Sequence, residues 1–510
     1  MLKIKLNLIF YTLSYYLIFF LYYSVSIADT LSTLRVGHPT PAVSSADPFA
    51  RDEGGGLRFA IYDALTWIDS DGQLKPALAK SWTNISPKAW RFELRENVKF
   101  SNKEKFNSDS VIKTLKELYN PDVYNPKIIE IGKLASFTKI NDLVVEIETI
   151  NPDPLLPKKL SLLPIIEPSA WDKLGHNNYK RSPVGTGAYI LSSWGNNNTN
   201  PILTASQSSW RKVKSIKRVD IKVIPDPASR VSALLSGELD IGVSLPSDDI
   251  ENLKINNFIV KTQPSPNILS IGFRTVRSDQ SPLKNSKVRN ALNYAVDKKS
   301  IVELILNNTT RVAHQPATPN LIGFNSGLDK FNYNPKKAKE LLTQAGYSDG
   351  FPLKFYVYGG LLPGDSLVFQ KMAQDLSSIN VITELRQITF PDYVRRLFSG
   401  DWGDSDGFSI GWMNHVLWDP QRSFEQFSCA YSAPFYCDEE IMPLINQAKI
   451  EMNPNIREKL LQDIVADLHK QGAALWLIEF SRIVAFRDSI SIGKFRLDGT
   501  MFERIQKKTN

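Results

Sequence analysis

The 510 residues carry 61 Lys and Arg against 53 Asp and Glu, a formal charge of +8. The two signs are interspersed, as in "ELRENVKFSNKEKF", whereas a nucleic-acid-binding face gathers its cations; nucleic acid is excluded as a partner, and the excess suits solubility with some attraction to an anionic membrane surface. So long a chain needs two or three lobes rather than one core.

The N-terminus sets the compartment. Lys3 and Lys5 precede an apolar stretch from Leu6 to Tyr23, and Ser26-Ile27-Ala28 supplies small residues. Charged, apolar, small is the order of a secretory signal cut after Ala28. The alternative is a retained anchor, since Leu6 to Ala28 is long enough to span a bilayer. No cysteine lies near the cut, which excludes a lipid-modified N-terminal cysteine. The mature chain is expected to be soluble and exported, with a charge of about +6 once Lys3 and Lys5 are gone.

Further along, "WRFELRENVKF" alternates Trp90, Phe92 and Leu94 with charged residues, the pattern of a half-buried strand. Asn107-Ser108-Asp109 caps a helix whose Val111, Ile112, Leu115 and Leu118 share one face. "LVVEIET" and "VDIKVIP" read as strands. "DPASRVSALLSGELDIGV" reads as a helix stopped at Gly237 and then a short buried strand. "NSKVRNALNYAVDKKSIVELIL" is a long amphipathic helical region. "NPKKAKELLTQAG" has proline in its first turn and glycine at its end, the usual helical asymmetry. "LKFYVYG" is a strand, and "SLVFQKMAQDLSS" and "IREKLLQDIVADLHKQG" are helices. Strands alternating with helices predict an α/β chain.

Catalytic motifs are few. Gly407-Phe408-Ser409-Ile410-Gly411 matches a nucleophile elbow, which needs a buried strand before the serine and a helix directly after it. The preceding "SGDWGDSD" is polar, and Pro420 interrupts the segment after the serine before a helix could settle. Only His415 and His469 come after Ser409, and His469 is expected at the surface of an amphipathic helix. Gly54 to Gly56 and Gly185 to Gly187 lack the lysine of a phosphate loop. The five histidines never stand at metal-ligand spacing. No catalytic residue, metal or cofactor is assigned.

Cys429 and Cys437 are the only cysteines. A close pair in an exported chain forms a disulfide, and half a metal site would need ligands that "CAYSAPFYCDEE" lacks. Around them Trp402, Trp412, Trp418, Tyr431, Phe435 and Tyr436 crowd a stretch rich in Gly, Asp and Asn. Both a packed core and the wall of a ligand cleft fit Trp412.

The order of several segments resembles a known family. "LKPALAKSWTNISPKAWRFELRENVKFSNKEKFNSDSV", "PVGTGAY" (Ala188 where relatives have proline), "LLSGELDIG", "VRNALNYAVDKKSIVE" and "YNPKKAKELLTQAGYSDGF" resemble, in sequence, the extracellular solute-binding proteins of the oligopeptide, dipeptide and nickel class. The resemblance implies a two-lobed periplasmic-binding-protein clamp of type II-like form with an extra N-terminal subdomain. It implies a periplasmic monomer that captures a solute between its lobes for the inner-membrane permease of an ABC importer. The boundaries it suggests are a signal at 1–28, a first lobe of 29–60, 186–271 and 480–510, a subdomain at 61–185 and a second lobe at 272–479.

By the same resemblance "GWMNHVLWDP" faces the cleft. Trp412 would lie over the solute, Asn414, His415 and Trp418 would line the site, Ser409 would sit in a strand, and Asp419-Pro420 would be structural. Peptide-binding relatives place an aspartate just after Gly-Trp, where this chain has Met413, Asn414, His415 and Val416. Dipeptide binders bring an arginine from the loop that here reads "GGLLPGDS". Charge-assisted pairs are strong and selective, so their loss predicts a neutral or weakly charged solute: an oligopeptide or modified peptide, a sugar compound or a metal chelate. Unmodified di- and tripeptides are expected to bind no better than about millimolar. The readings from other classes are an exported serine hydrolase acting through Ser409 and a chaperone-like peptide holder.

Overall fold

Two strands are long enough to serve two lobes at once. Phe258–Phe273 and Ala474–Arg487 run antiparallel, from Phe258 opposite Arg487 to Gly272 opposite Ala474. Their ladder slips between Pro264 and Ile268, opposite Ser481 and Glu479. Pro264 and Pro266 have no N–H to give a sheet, so the slip sits where the pair is weakest. The computed structural model describes residues 32–508 apart from 40–44, 51–55, 124, 196–199, 278–279, 361 and 494–500. The expected signal and its cut lie outside the described residues.

Strands from each lobe attach at opposite ends of this pair. Gly407–Trp412 pairs with Ile268–Phe273 and is followed outward by Phe351–Tyr358 and Val381–Ile388. Ile241–Val243 pairs with Val484–Phe486 and is followed by Thr33–His38, Arg218–Val223, Ile202–Ala205 and Tyr189–Ser193. The result is one ten-stranded mixed sheet passing through both lobes.

A four-stranded antiparallel sheet, in the order Ala79–Ser86, Ala89–Leu94, Val144–Thr149, Leu134–Asn141, builds the extra subdomain. The helix Ser108–Leu118 covers it with Val111, Leu115 and Leu118 inward, and Asn107 accepts from the N–H groups of Asp109 and Ser110. Its core is not separate: Phe92, Leu94 and Ile147 belong to one apolar cluster with Leu34, Ile221 and Phe502 of the first lobe. The second lobe has two cores. One is largely aliphatic, with Ile271, Leu292, Met372 and Leu477; the other is aromatic, with Trp402, Trp412, Phe427, Phe435 and Trp476.

Most helix ends follow their sequence signals. Asp226 and Asn334 cap Pro227–Leu235 and Pro335–Gln344, each with proline in the first turn, and Gly237 and Gly346 follow with φ of 84° and 85°. The expected long helix through 286–306 is instead broken. Ser286–Ala295 ends at an extended Val296, and Asp297 caps a new turn by accepting from the Ser300 N–H at 3.1 Å and the Ser300 hydroxyl at 2.6 Å. A carboxylate that can cap a helix competes with continuing one.

Candidate solute-binding site

In open α/β sheets, ligands bind beyond the carboxyl ends of the strands, where connecting loops leave a crevice. Five such ends meet here. Pro39, Pro225 and Ser244 follow Thr33–His38, Arg218–Val223 and Ile241–Val243 in the first lobe; Gly360 and Met413 lie just beyond Phe351–Tyr358 and Gly407–Trp412 in the second. Between them the hinge strands supply Asn267, Glu479, Phe480 and Arg482, and the cavity enclosed is about 330 Å³.

Each wall has a fastening. Arg230, 2 % exposed, donates to the carbonyls of Val243 (3.0 Å), Ile224 (2.7 Å), Pro225 (2.8 Å) and Ser244, locking two loops together. Across the cleft, Asp365 Oδ2 accepts from the N–H groups of Gly360 at 2.9 Å and Leu362 at 3.3 Å. The Ser409 hydroxyl accepts from Tyr358 N–H at 2.8 Å, just before that loop begins.

The hinge carries the charge. Glu479 is 7 % exposed, and Arg311 places both Nε (2.9 Å) and Nη2 (2.8 Å) on the same carboxylate oxygen, Oε2. Burial pushes the Glu479 pKa above the usual carboxyl range despite that arginine. Arg482, half-buried, lines the same cavity, and among the described residues no carboxylate pairs with it.

The residues expected from "GWMNHVLWDP" fall elsewhere. Trp412 is fully buried: its indole stacks on Phe427 with centroids 3.7 Å apart, and its N–H donates to Ser270 Oγ at 3.0 Å. It belongs to the aromatic core, not to a cleft wall, because Phe408, Ile410 and Trp412 share the inner face of one strand. Asn414 is also buried, donating to the carbonyls of Pro266 (3.0 Å) and Pro316 (3.1 Å) and accepting from Ser423 at 2.6 Å, so both its N–H groups are engaged within the protein. His415 faces Asn267, whose Oδ1 lies 2.9 Å from its backbone N and 3.1 Å from Nδ1; it orients a cleft residue. Only Met413 of this stretch reaches the cavity. Asp419 is structural, in a buried bidentate pair with Arg457 at 2.6 and 2.8 Å.

Trp418 joins the lobes. Its ring lies on Gly72 of the subdomain so closely that a Cβ there would stand 2.3 Å from Cε3, and Lys158 donates to its carbonyl at 3.1 Å. It also borders a second interlobe crevice of about 580 Å³ with Ser70, Lys261 and Gln263. At the other rim, Asn307 of the second lobe donates to Asp248 of the first at 2.8 Å. The lobes touch on both sides of the cavity.

Ser409 is not an elbow nucleophile: it is fully buried in mid-strand with its hydroxyl on Tyr358, and no helix follows it directly. His469, expected at the surface, is buried; its Nδ1 lies 2.8 Å from the His314 carbonyl and its ring packs on Phe331. Cys429 and Cys437 form the disulfide, which removes the metal half-site alternative.

The model of the bacterial extracellular solute-binding proteins, family 5, matches residues 73–434. The chain belongs to that family. Among curated relatives, the nickel-binding periplasmic protein of Escherichia coli is 24% identical over 469 residues, 84% of this chain and 86% of its own length. Heme-binding protein A of Haemophilus influenzae is 26% identical over 442 residues, 78% of each. Among solved structures, NikA of Brucella suis in complex with Fe(III)-EDTA superposes with a TM-score of 0.83 at 22% identity, covering 93% of this chain and all of that one. This solute-binding family accords with a clamp whose cavity lies between lobes on a shared sheet.

Proposed function

We propose that this solute-binding protein captures a small solute in the 330 Å³ cavity between its lobes and hands it to the permease of an ABC importer. The observation that carries the reading is the convergence of five strand ends from two lobes on a cavity that the hinge strands cross. Relatives named for nickel, heme and di- or tripeptides share the family, so family membership does not choose the solute. The reading places Asn267, Met413, Glu479, Phe480 and Arg482 on the solute, His415 behind Asn267, and Trp418 at the closing rim. Export to the periplasm with a cut after Ala28, and action as a monomer, complete it.

Closure works by differential contact. A solute touching both walls gains contacts in the closed form that the open form lacks, and shifts the population by that difference alone. Native mass spectrometry of freshly purified protein tests this: a retained small molecule, lost on mild unfolding and restored with a fall in radius of gyration, is the expected result. A chain that releases no small molecule and never changes shape with any solute is not a clamp.

A further inference from the structure

The cavity is not uncharged, as the loss of the peptide anchors suggests, and its charge is unbalanced. Two guanidiniums line it, Arg230 and Arg482, against one carboxylate, Glu479, which Arg311 already pairs from behind. Arg230 takes only carbonyl oxygens as hydrogen-bond acceptors behind the first-lobe wall, and the exposed Asp226 offsets part of its charge. Arg311 is matched to Glu479. Arg482 has no carboxylate partner among the described residues. The acids next along the chain do not line the cavity and are engaged: Asp226 with Ser229 N–H and, through its charge, with Arg230, Asp248 with Asn307, and Asp365 with Gly360 and Leu362. Glu479 offers one further feature. Both Arg311 contacts fall on Oε2, so Oε1 keeps its acceptor capacity at the cavity wall.

Resting on the clamp reading above, we infer that the solute carries net negative charge, with an oxyanion group docked on Arg482 and a hydrogen-bond donor on Glu479 Oε1. A planar guanidinium suits a carboxylate or phosphate oxygen pair. A positively charged, low-dielectric cleft also concentrates anions before they bind. A cationic solute would meet two lining guanidiniums and a carboxylate already paired with Arg311, and a neutral one would leave Arg482 desolvated without an anion on closing.

The test uses the full mature chain, stripped of retained solute by mild unfolding and refolding. Calorimetric titration is run with citrate (carboxylate source), glycerol 3-phosphate (phosphate source), glucose (neutral), alanyl-alanine (zwitterionic) and spermidine (cationic). The expected result is binding of at least one of the two anions, weakened at least tenfold by Arg482→Gln, partly restored by Arg482→Lys, with the unfolding midpoint unchanged. Affinity should also fall with ionic strength. Which anion binds separates the carboxylate from the phosphate source. Binding of only the neutral, zwitterionic or cationic probes overturns the inference and leaves the clamp standing, as does an anion whose affinity Arg482→Gln does not alter. If no probe binds and native mass spectrometry of untreated protein shows no retained small molecule, the clamp reading fails and the inference with it.

Discussion

Two stretches approach the cleft from the second lobe side, Gly407–Trp418 and Ile478–Ile483, and they use their side chains in opposite ways. The first is crowded with aromatics and, up to the end of its strand, sends them inward: Phe408 and Trp412, with Ile410, enter a core that stacks Trp402 on Phe408 at 3.6 Å and Trp412 on Phe427 at 3.7 Å, while Trp418 stands at the rim. The second alternates apolar residues with polar ones, and its Glu479 and Arg482 line the cavity. The difference is one of location along the strand. A side chain in mid-strand meets the layer packed on its face, whereas one beside a broken ladder meets the gap between lobes.

Removing the indole breaks that contrast most forcefully. Trp412→Ala is expected to cost about 3 to 5 kcal/mol of stability, as for other large core aromatics. Urea unfolding reads the loss, while Met413→Ala next door should leave stability nearly intact and change solute affinity. A Trp412→Ala variant with unaltered unfolding and lost binding would return the aromatic stretch to the cleft.

The disulfide comes next in size. Its loop carries Phe435 between Phe408 and Phe427, with centroids 4.9 Å from each. Closing so short a loop contributes about 2 to 3 kcal/mol by chain entropy. Replacing both Cys429 and Cys437 by serine should lower the midpoint accordingly, and both thiols of the native chain should resist alkylation until reduced. Ready labelling of non-reduced protein would contradict the pairing.

Ser409→Ala sharpens the comparison at smaller scale. Losing the acceptor for a buried N–H costs about 1 to 3 kcal/mol, seen as lower stability and faster amide exchange at Tyr358, with no loss of hydrolytic activity because none is expected. Covalent labelling of Ser409 by a fluorophosphonate would reverse that assignment.

Glu479 gives the subtlest test, through pH. Its folded-state pKa is raised above the ordinary 4.5, so the folded chain holds this proton more tightly than the unfolded one. The contribution therefore favours folding below about 4.5 and is lost as pH rises through that value toward the raised pKa. Glu479→Gln cannot ionise, so its stability relative to the native chain should increase across that window and level off above it. A difference that is flat or slopes the other way would show that Arg311 outweighs burial.

Much of the fold is legible in the sequence because its signals are local. Asn107, Asp226 and Asn334 cap the helices their spacing announces, and Gly237 and Gly346 end two of them. The site is less legible, because the cleft is assembled from residues far apart in the chain. Pro39 and Arg482 line the same cavity although 443 positions separate them. A signal for Glu479 and Arg482 is present: two charges inside the apolar run "LWLIEFSRIVAF" must face something other than a core. Trp412 misleads for the converse reason, since a tryptophan near glycines looks exposed until Phe427, brought by a later helix, covers it. His469 is hidden in the same way by Phe331 and Trp476.

The contacts at the two rims, Trp418 on Gly72 and Asn307 on Asp248, have a kinetic consequence. With both rims engaged, a trapped molecule leaves only after the rims part, so their parting sets an upper bound on its escape rate. Solutes of quite different affinity would then share one slow step, and their affinities would differ in how often closure succeeds. Gly72→Ala, which drives a methyl group into the Trp418 ring, should shorten every residence time by a common factor in stopped-flow chase experiments, whatever molecule is inside.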